Sequence, residues 1–464
     1  MKKVLTALSL AILLVSCSSE KVFTVSPDNG DCTAAIQKKL DRCFLSGGGR
    51  VVLKKGEYHV GGLRVRSNTT LYLKSGARLV GSRDCRDYRI MAGDTLEALD
   101  PEDVCTDSVV WLRPRERKDG KAWHITIAGS RWNDAIIRIY KAQNVSIIGE
   151  KGAVIDGCNS FDPEGEEHYR GVHGISAHKS RDIVFKGYTI CNTGNWAHLM
   201  RNCTNVLYED LEILGGHDGV HISTCDSVSI LDCVMKTGDD CVAGFDNRYV
   251  TVRGCTFNTA CSAFRYGGTH LLAEDCRCYG PGEYPIRGSL SKEEKEAGAM
   301  GEGGGRRNML ALFTYYADKT LEIREKPGDI VLRNIECENM DRFLHYNFSG
   351  NETWQLGMPL DGITFENVHA SGIKLPLCAY STPECPFSLT LKGCSIAFEA
   401  PVPECIRGAY IREVVADGLS VEGASDAPLV RSWAGDDPEL IIEGLSGAAA
   451  EVAPADRPFK VKSI

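Results

Sequence analysis

Three aspartates, Asp218, Asp239 and Asp240, stand close together in the stretch "GGHDGVHISTCDSVSILDCVMKTGDDCVAG", residues 215 to 244. Each lies in a short glycine-containing break, "HDG" or "GDD". Turns alone can favour Asp beside Gly. Gathered carboxylates, however, have a definite chemistry open to them. One carboxylic acid can protonate the leaving oxygen of a glycosidic bond while a carboxylate activates water or attacks the sugar. Carboxylates on either side of a water, about 6.5–9.5 Å apart, lead to inversion at the sugar carbon. The three residues meet only if the interval between them is a structural repeat, because like charges brought together without a use would be costly.

The interval is a repeat. The segments "DIVFKGYTI" from Asp182, "NVLYEDLEI" from Asn205, "SVSILDCVM" from Ser227, "YVTVRGCTF" from Tyr249 and "HLLAEDCRC" from His270 start 23, 22, 22 and 21 residues apart. Each alternates apolar and polar residues, breaks at a polar residue or glycine, and continues, which is the pattern of two short strands with a bend. Three inward columns follow: Ile183, Val206, Val228, Val250, Leu271; Phe185, Tyr208, Ile230, Val252, Ala273; and Tyr188, Leu211, Cys233, Cys255, Cys276. A repeat of this length without helical period predicts an all-β parallel β-solenoid, each coil burying its face against its neighbours. With a coil near 22 residues, Asp218 and Asp239, 21 apart, are expected at nearly the same place on consecutive coils. Similar strand starts at 144–157, 328–337, 361–370, 388–396 and 412–421 extend the solenoid over most of the chain.

An open solenoid end exposes core and strand edges, so it needs a cap. The front cap is expected at residues 23–85, with Asp31 capping a helix whose apolar side carries Ala35, Ile36, Leu40 and Phe44. The charged, glycine-rich segment 291–307 interrupts the repeat and is expected as a loop outside the coil: a disordered insertion or a flap beside a groove. At the N-terminus, two lysines and a short apolar run lead to Leu14-Val15-Ser16-Cys17. That is an export signal resembling a bacterial lipobox, which makes 1–16 a signal peptide, Cys17 the lipidated residue and 17–464 a single β-helix domain. The expected location is therefore the bacterial cell envelope, lipid-anchored in the periplasm or at the outer-membrane surface.

The formal charge is −9, and about −11 once Lys2 and Lys3 are removed. With no basic run or basic face, nucleic acid is excluded as a partner. Twenty cysteines in an exported chain suggest disulfides, but the column Cys233, Cys255, Cys276 reads as a ladder of buried thiols, since three consecutive rungs cannot all pair.

The order of the cap segment "TAAIQKKLDRCFLSGGGRVVLKKGEYHVGGLRVRSNTTLYLKSGARLVGS", "AVIDG", "HDG" and "GDD" resembles the family 28 glycoside hydrolases, the polygalacturonase and rhamnogalacturonase group, across roughly residues 23 to 340. The resemblance implies a right-handed parallel β-helix whose groove carries the chemistry. It implies Asp239 as general acid, with Asp218 and Asp240 activating water. The chain departs from the family at "TACSAFRYGG", where Cys261 stands in the place of a histidine and Arg265 is the candidate replacement cation. His217 precedes Asp218 where the family has threonine, and is a candidate substrate contact. The family's Arg-Ile-Lys segment has two possible counterparts, "REK" at Arg324 to Lys326 and "ALFTYYADK", which makes Lys326 a candidate for binding substrate. Arg306 and Arg307 are further candidate cations for an acidic sugar.

These readings lead to inverting, metal-independent and cofactor-independent hydrolysis of pectic polysaccharide or oligosaccharide, galacturonan or rhamnogalacturonan, by a monomer. Two rivals keep the fold: a glycosidase for a neutral sugar such as a galactoside, and a non-catalytic glycan-binding solenoid. A lyase fits less well, because it needs a base for a C5 proton rather than an acid and a water.

Overall fold

The computed structural model describes residues 20–88, 131–163, 169–298, 304–317, 323–348 and 358–455. The signal segment and Cys17 lie outside the described residues. The chain is a parallel β-helix in which each strand pairs with its counterpart one coil on. In register, Ile183 faces Val206, Val206 faces Val228, Val228 faces Val250, and Val250 faces Leu271. The column headed by Phe185 runs in parallel with it, and all fifteen residues of the three expected columns are buried. The alternation seen in the sequence is thus the alternation between core and solvent.

The polar breaks are corners. Asp182, Asn205, Ser227, Tyr249 and His270 adopt positive φ between 55° and 57°, and Gly187, Asp210, Asp232, Gly254 and Asp275 adopt positive φ between 53° and 77° at the next bend. Asn and Asp tolerate this left-handed conformation better than other side chains, which explains their recurrence. The corner side chains also stack: Asn205 donates to Asp182 at 2.7 Å, and the Tyr249 and His270 rings lie parallel at 4.6 Å.

The cysteines are thiols. All eighteen in the described residues are free, and Cys233, Cys255 and Cys276 donate to main-chain carbonyls within their own coils at 3.2–3.4 Å. A second stack begins with Ser180 and continues through Cys203 and Cys225 to Asn247, whose amide takes over by accepting from the Cys225 N–H and donating to the Ile222 carbonyl.

At the front, the helix Thr33–Leu45 covers the first coil. The N-cap is Cys32, whose side chain makes no capping hydrogen bond, rather than the expected Asp31; Asp31, one residue earlier, accepts from the Thr33 N–H at 2.8 Å. The buried face is Ile36, Leu40 and Cys43, which keeps two of the four residues expected: Ala35 is exposed, and Phe44 is half-buried beneath the Arg66 guanidinium. Among the described residues no helix is long and apolar enough to cross a membrane.

Candidate active site

Three successive coils make the same turn. It joins Glu212–Gly215 to Val220–Ser223, then Val234–Thr237 to Val242–Arg253, then Thr256–Thr259 to Ser262–Tyr279. The register Val220 to Val242 to Phe264 fixes which turn residues stack. Asp218 stands over Asp240, with Ser262 on the rung beyond. The partner of Asp218 is therefore Asp240, 22 residues on, and not Asp239 as the 21-residue spacing suggested; Asp239 stacks with Cys261.

Local hydrogen bonds hold the pair in place. The Thr237 and Thr259 hydroxyls both donate to the Asp239 carbonyl at 2.6 Å, and the Ser262 N–H donates to Asp240 Oδ1 at 3.0 Å. Asp218 and Asp240 are buried, at 3% and 2% exposure, while Asp239 is half-buried. Burial, then the neighbouring Asp239 and Asp240, hold the Asp218 carboxyl well above the usual carboxylate range. Burial and then Asp239 push Asp240 up to about 6, against the pull of Arg265. Two carboxyl groups of raised proton affinity beside a third acid are the arrangement from which acid and base roles are drawn.

Cations flank the acids. Arg265 Nε lies 3.8 Å from Asp240 Oδ2, with its guanidinium 4.0 Å from the centroid of the Tyr316 ring, so the structure brings Arg265 to the aspartates. Arg170 Nη2 lies 3.9 Å from Asp239 Oδ2. His217 is buried rather than exposed, its Nε2 has no hydrogen-bond partner, and burial followed by Arg170 and Arg287 keeps its imidazole neutral. Lys326 instead pairs with Asp361 at 3.4 Å, and Arg324 is held by Asp246 and Asp226. Arg306 and Arg307 donate to the carbonyls of Ala260, Gly282 and Glu283, which makes them struts of the neighbouring loop.

A histidine does contact an aspartate, but from an earlier coil. His221 Nδ1 lies 2.7 Å from Asp218 Oδ2, and the ring stacks on Trp196 with centroids 3.7 Å apart. The sequence held a signal for it: in "VHIS" Val220 and Ile222 point inward, so His221 points outward like Asp218. Arg170 had no comparable signal, because it comes from the loop before His173–His178.

Asp239, Asp240 and Cys261 each offer one ligand atom within 4.8 Å of the others. As a cation site this trio fits poorly. Burial followed by the two aspartates keeps the Cys261 thiol protonated, and Arg170 and Arg265 already stand against the carboxylates.

Comparison with known proteins agrees with this class of protein, a β-helix with clustered carboxylates in its groove. Residues 122–260 match the family model "Glycosyl hydrolases family 28". The chain is 25% identical over 210 residues to a probable polygalacturonase of Vitis vinifera, covering 44% of this chain and 38% of that one. It spans between 35% and 55% of the length of the first curated relatives it matches. Among solved structures, the family 28 exopolygalacturonase of Yersinia enterocolitica superposes with a TM-score of 0.54 at 15% identity, covering 94% of this chain and 80% of that one. The mannuronan C-5 epimerase AlgE6 A-module of Azotobacter vinelandii gives 0.52 at 11%, covering 91% and 96%. The fold is thus the pectin-lyase-like β-helix, shared by different chemistries. The resemblance to family 28 rests on residues 122–260, which contain all three aspartates.

Proposed function

We propose that the protein is an O-glycosyl hydrolase that cleaves pectic polysaccharide or oligosaccharide with inversion. The observation that supports this reading best is the stacking of Asp218 over Asp240 with Asp239 beside them. In this reading Asp239, the most accessible of the three, protonates the leaving oxygen. Asp218 and Asp240, stacked on consecutive coils, act together on the attacking water, and the separation that governs inversion is the one between this pair and Asp239. His221 orients Asp218, Arg265 favours the ionised form of Asp240, and His217 faces the substrate from the same turn. Arg170 and Arg265 favour an acidic sugar over a neutral one. Lys326 is retained as a substrate contact only at a distance from the acids, since its observed partner is Asp361.

The test is sugar release from a panel of pectic and neutral oligosaccharides, with Asp239→Asn as control and proton NMR on the first anomer formed. Release from a galacturonate-containing substrate with inverted configuration, lost in the variant, is the expected result. Release from neutral galactosides alone would replace the substrate, a retained configuration would replace the mechanism, and binding without release would leave a glycan-binding protein.

We further propose that the chain is exported and anchored through a lipid on Cys17 as a monomer in the cell envelope. Membrane fractionation of the Cys17→Ala form checks this: the variant should move to the soluble envelope fraction.

A further inference from the structure

Residues 280–298 and 304–308 form a strap that lies on the acidic turns. The Arg287 N–H donates to the Gly216 carbonyl at 2.9 Å, two residues before Asp218. A Cβ on Gly216 would come within 2.9 Å of the Arg287 Cβ, and one on Gly238 within 2.0 Å of the Pro285 carbonyl oxygen. Both glycines are therefore seats for the strap. The far end carries a short helix, Lys292–Ala297, closed by a Ser291 and Glu294 capping box and tied to the first coils where Arg83 donates to the carbonyls of Ala297 and Glu296.

The strap places two cations in the interior without an ion-pair partner among the described residues. Arg287 and Lys295 are each only 3% exposed. Arg287 donates to Asn159 Oδ1 at 3.2 Å and to the Lys295 carbonyl at 3.5 Å, both neutral acceptors. Among the described residues neither forms an ion pair; of the two acids that flank Lys295 in sequence, Glu294 is engaged in the capping box, and its pull is the smallest of the influences on the ammonium. Burial, then Arg287 and Arg170, push the Lys295 ammonium down to about 8. His217, buried and with Nε2 unpartnered, is set among the same groups, since Arg170, Arg287 and Lys295 all bear on its proton. Cations taken out of water without a partner carry a large desolvation cost, and a bound anion would relieve both that cost and their mutual repulsion. Arg170 links the cluster to Asp239.

We propose that Arg170, Arg287 and Lys295, two of them delivered by the strap rather than by the coils, form an anion site beside Asp239 that holds a carboxylate of the sugar unit next to the bond being cut. This rests on the hydrolase reading for its substrate, though not for its anion. The fork of Arg287 suits a planar carboxylate, and Lys295 adds a single charge.

Two measurements separate the claims. The first is the thermal midpoint of the full chain with free galacturonate or with galactose. Galacturonate should raise it and galactose should not, and Lys295→Met should abolish the rise while Lys295→Arg restores it. The second is calorimetric binding of an oligogalacturonate and its methyl ester to Asp239→Asn, alone and combined with Lys295→Met. The lysine change should weaken the acid form about tenfold or more and leave the ester unchanged. Arg287→Gln should act alike if it folds; Lys295→Met, which removes no observed hydrogen bond, keeps the test open if it does not. An unchanged galacturonate response in Lys295→Met overturns the anion site even where pectic substrate is hydrolysed. A lysine-dependent response without hydrolysis of any pectic substrate overturns the hydrolase reading and leaves the anion site standing. No response to galacturonate, together with equal affinity for acid and ester, overturns the site outright.

Discussion

Asp240 carries a stability penalty that goes with its place among the acids. Its carboxyl is buried and next to Asp239, so it holds its proton to about pH 6, against 3.8 for the ordinary group. Between those values the folded chain binds a proton that the unfolded chain has released, so stability falls as pH rises through that window and stays lower above it. Replacing Asp240 with Asn keeps the acceptor for the Ser262 N–H and removes the charge. Asp240→Asn should therefore raise the thermal midpoint at pH 7.5, by about 1–3 kcal/mol of stability, while abolishing hydrolysis. Melts at pH 4 and 7.5 check this, because the gain should vanish at the lower pH. In the proposed mechanism the same carboxyl sets the rate: a base has to be ionised, so kcat/KM should fall as pH drops below about 6. Arg265 pulls that value down, and Arg265→Met should move the acidic limb toward higher pH. A limb that stays in place would mean that Asp240 is not the base.

At the scale of the element, stacking decides what could be read in advance. The inward columns were legible because each coil repeats the same apolar positions, and any one-residue slip would turn all of them outward. The three aspartates were legible for the same reason, their turns being copies of one turn. Their pairing was off by one residue because spacing between motifs does not reveal register, which only the ladder Val220 to Val242 to Phe264 fixes. Arg170 was not legible, since it does not belong to the repeat; the strap was legible only in part, as the segment 291–307 outside the coil, without its helix Lys292–Ala297 or its seat on the acidic turns. The cysteine column was read correctly as a core ladder, and its consequence can be measured. With all described cysteines free, a reducing agent should leave the thermal midpoint unchanged. Cys255 sits between Cys233 and Cys276, so Cys255→Leu should overfill that rung at a cost of about 1–3 kcal/mol. A midpoint that falls under reduction would show that the rungs are cross-linked after all.

For the whole molecule, the consequence of building by coils is that contacts are made almost only between neighbours, so a disturbance at one end should decay along the axis. The aspartates lie at 218–240, several coils from the helical cap at Thr33–Leu45, and their immediate supports come from residues 170–316. The cap instead seals the first coils through Ile36, Leu40 and Cys43. Leu40→Ala should leave a cavity under the helix at a cost of about 2–5 kcal/mol. In a single cooperative core that loss would be felt everywhere; in a solenoid it should open the near end first. Hydrogen exchange in the variant should accelerate in residues 20–88, with protection around 218–265 and the affinity for substrate both kept. The strap bridges the two regions through Arg83, and it supplies the sharper outcome. If loosening the cap also weakens binding of an acidic sugar but not of its neutral ester, the disturbance has travelled along Arg83 to the helix that carries Lys295, and the ends of this solenoid are coupled to its site through the strap rather than through the coils.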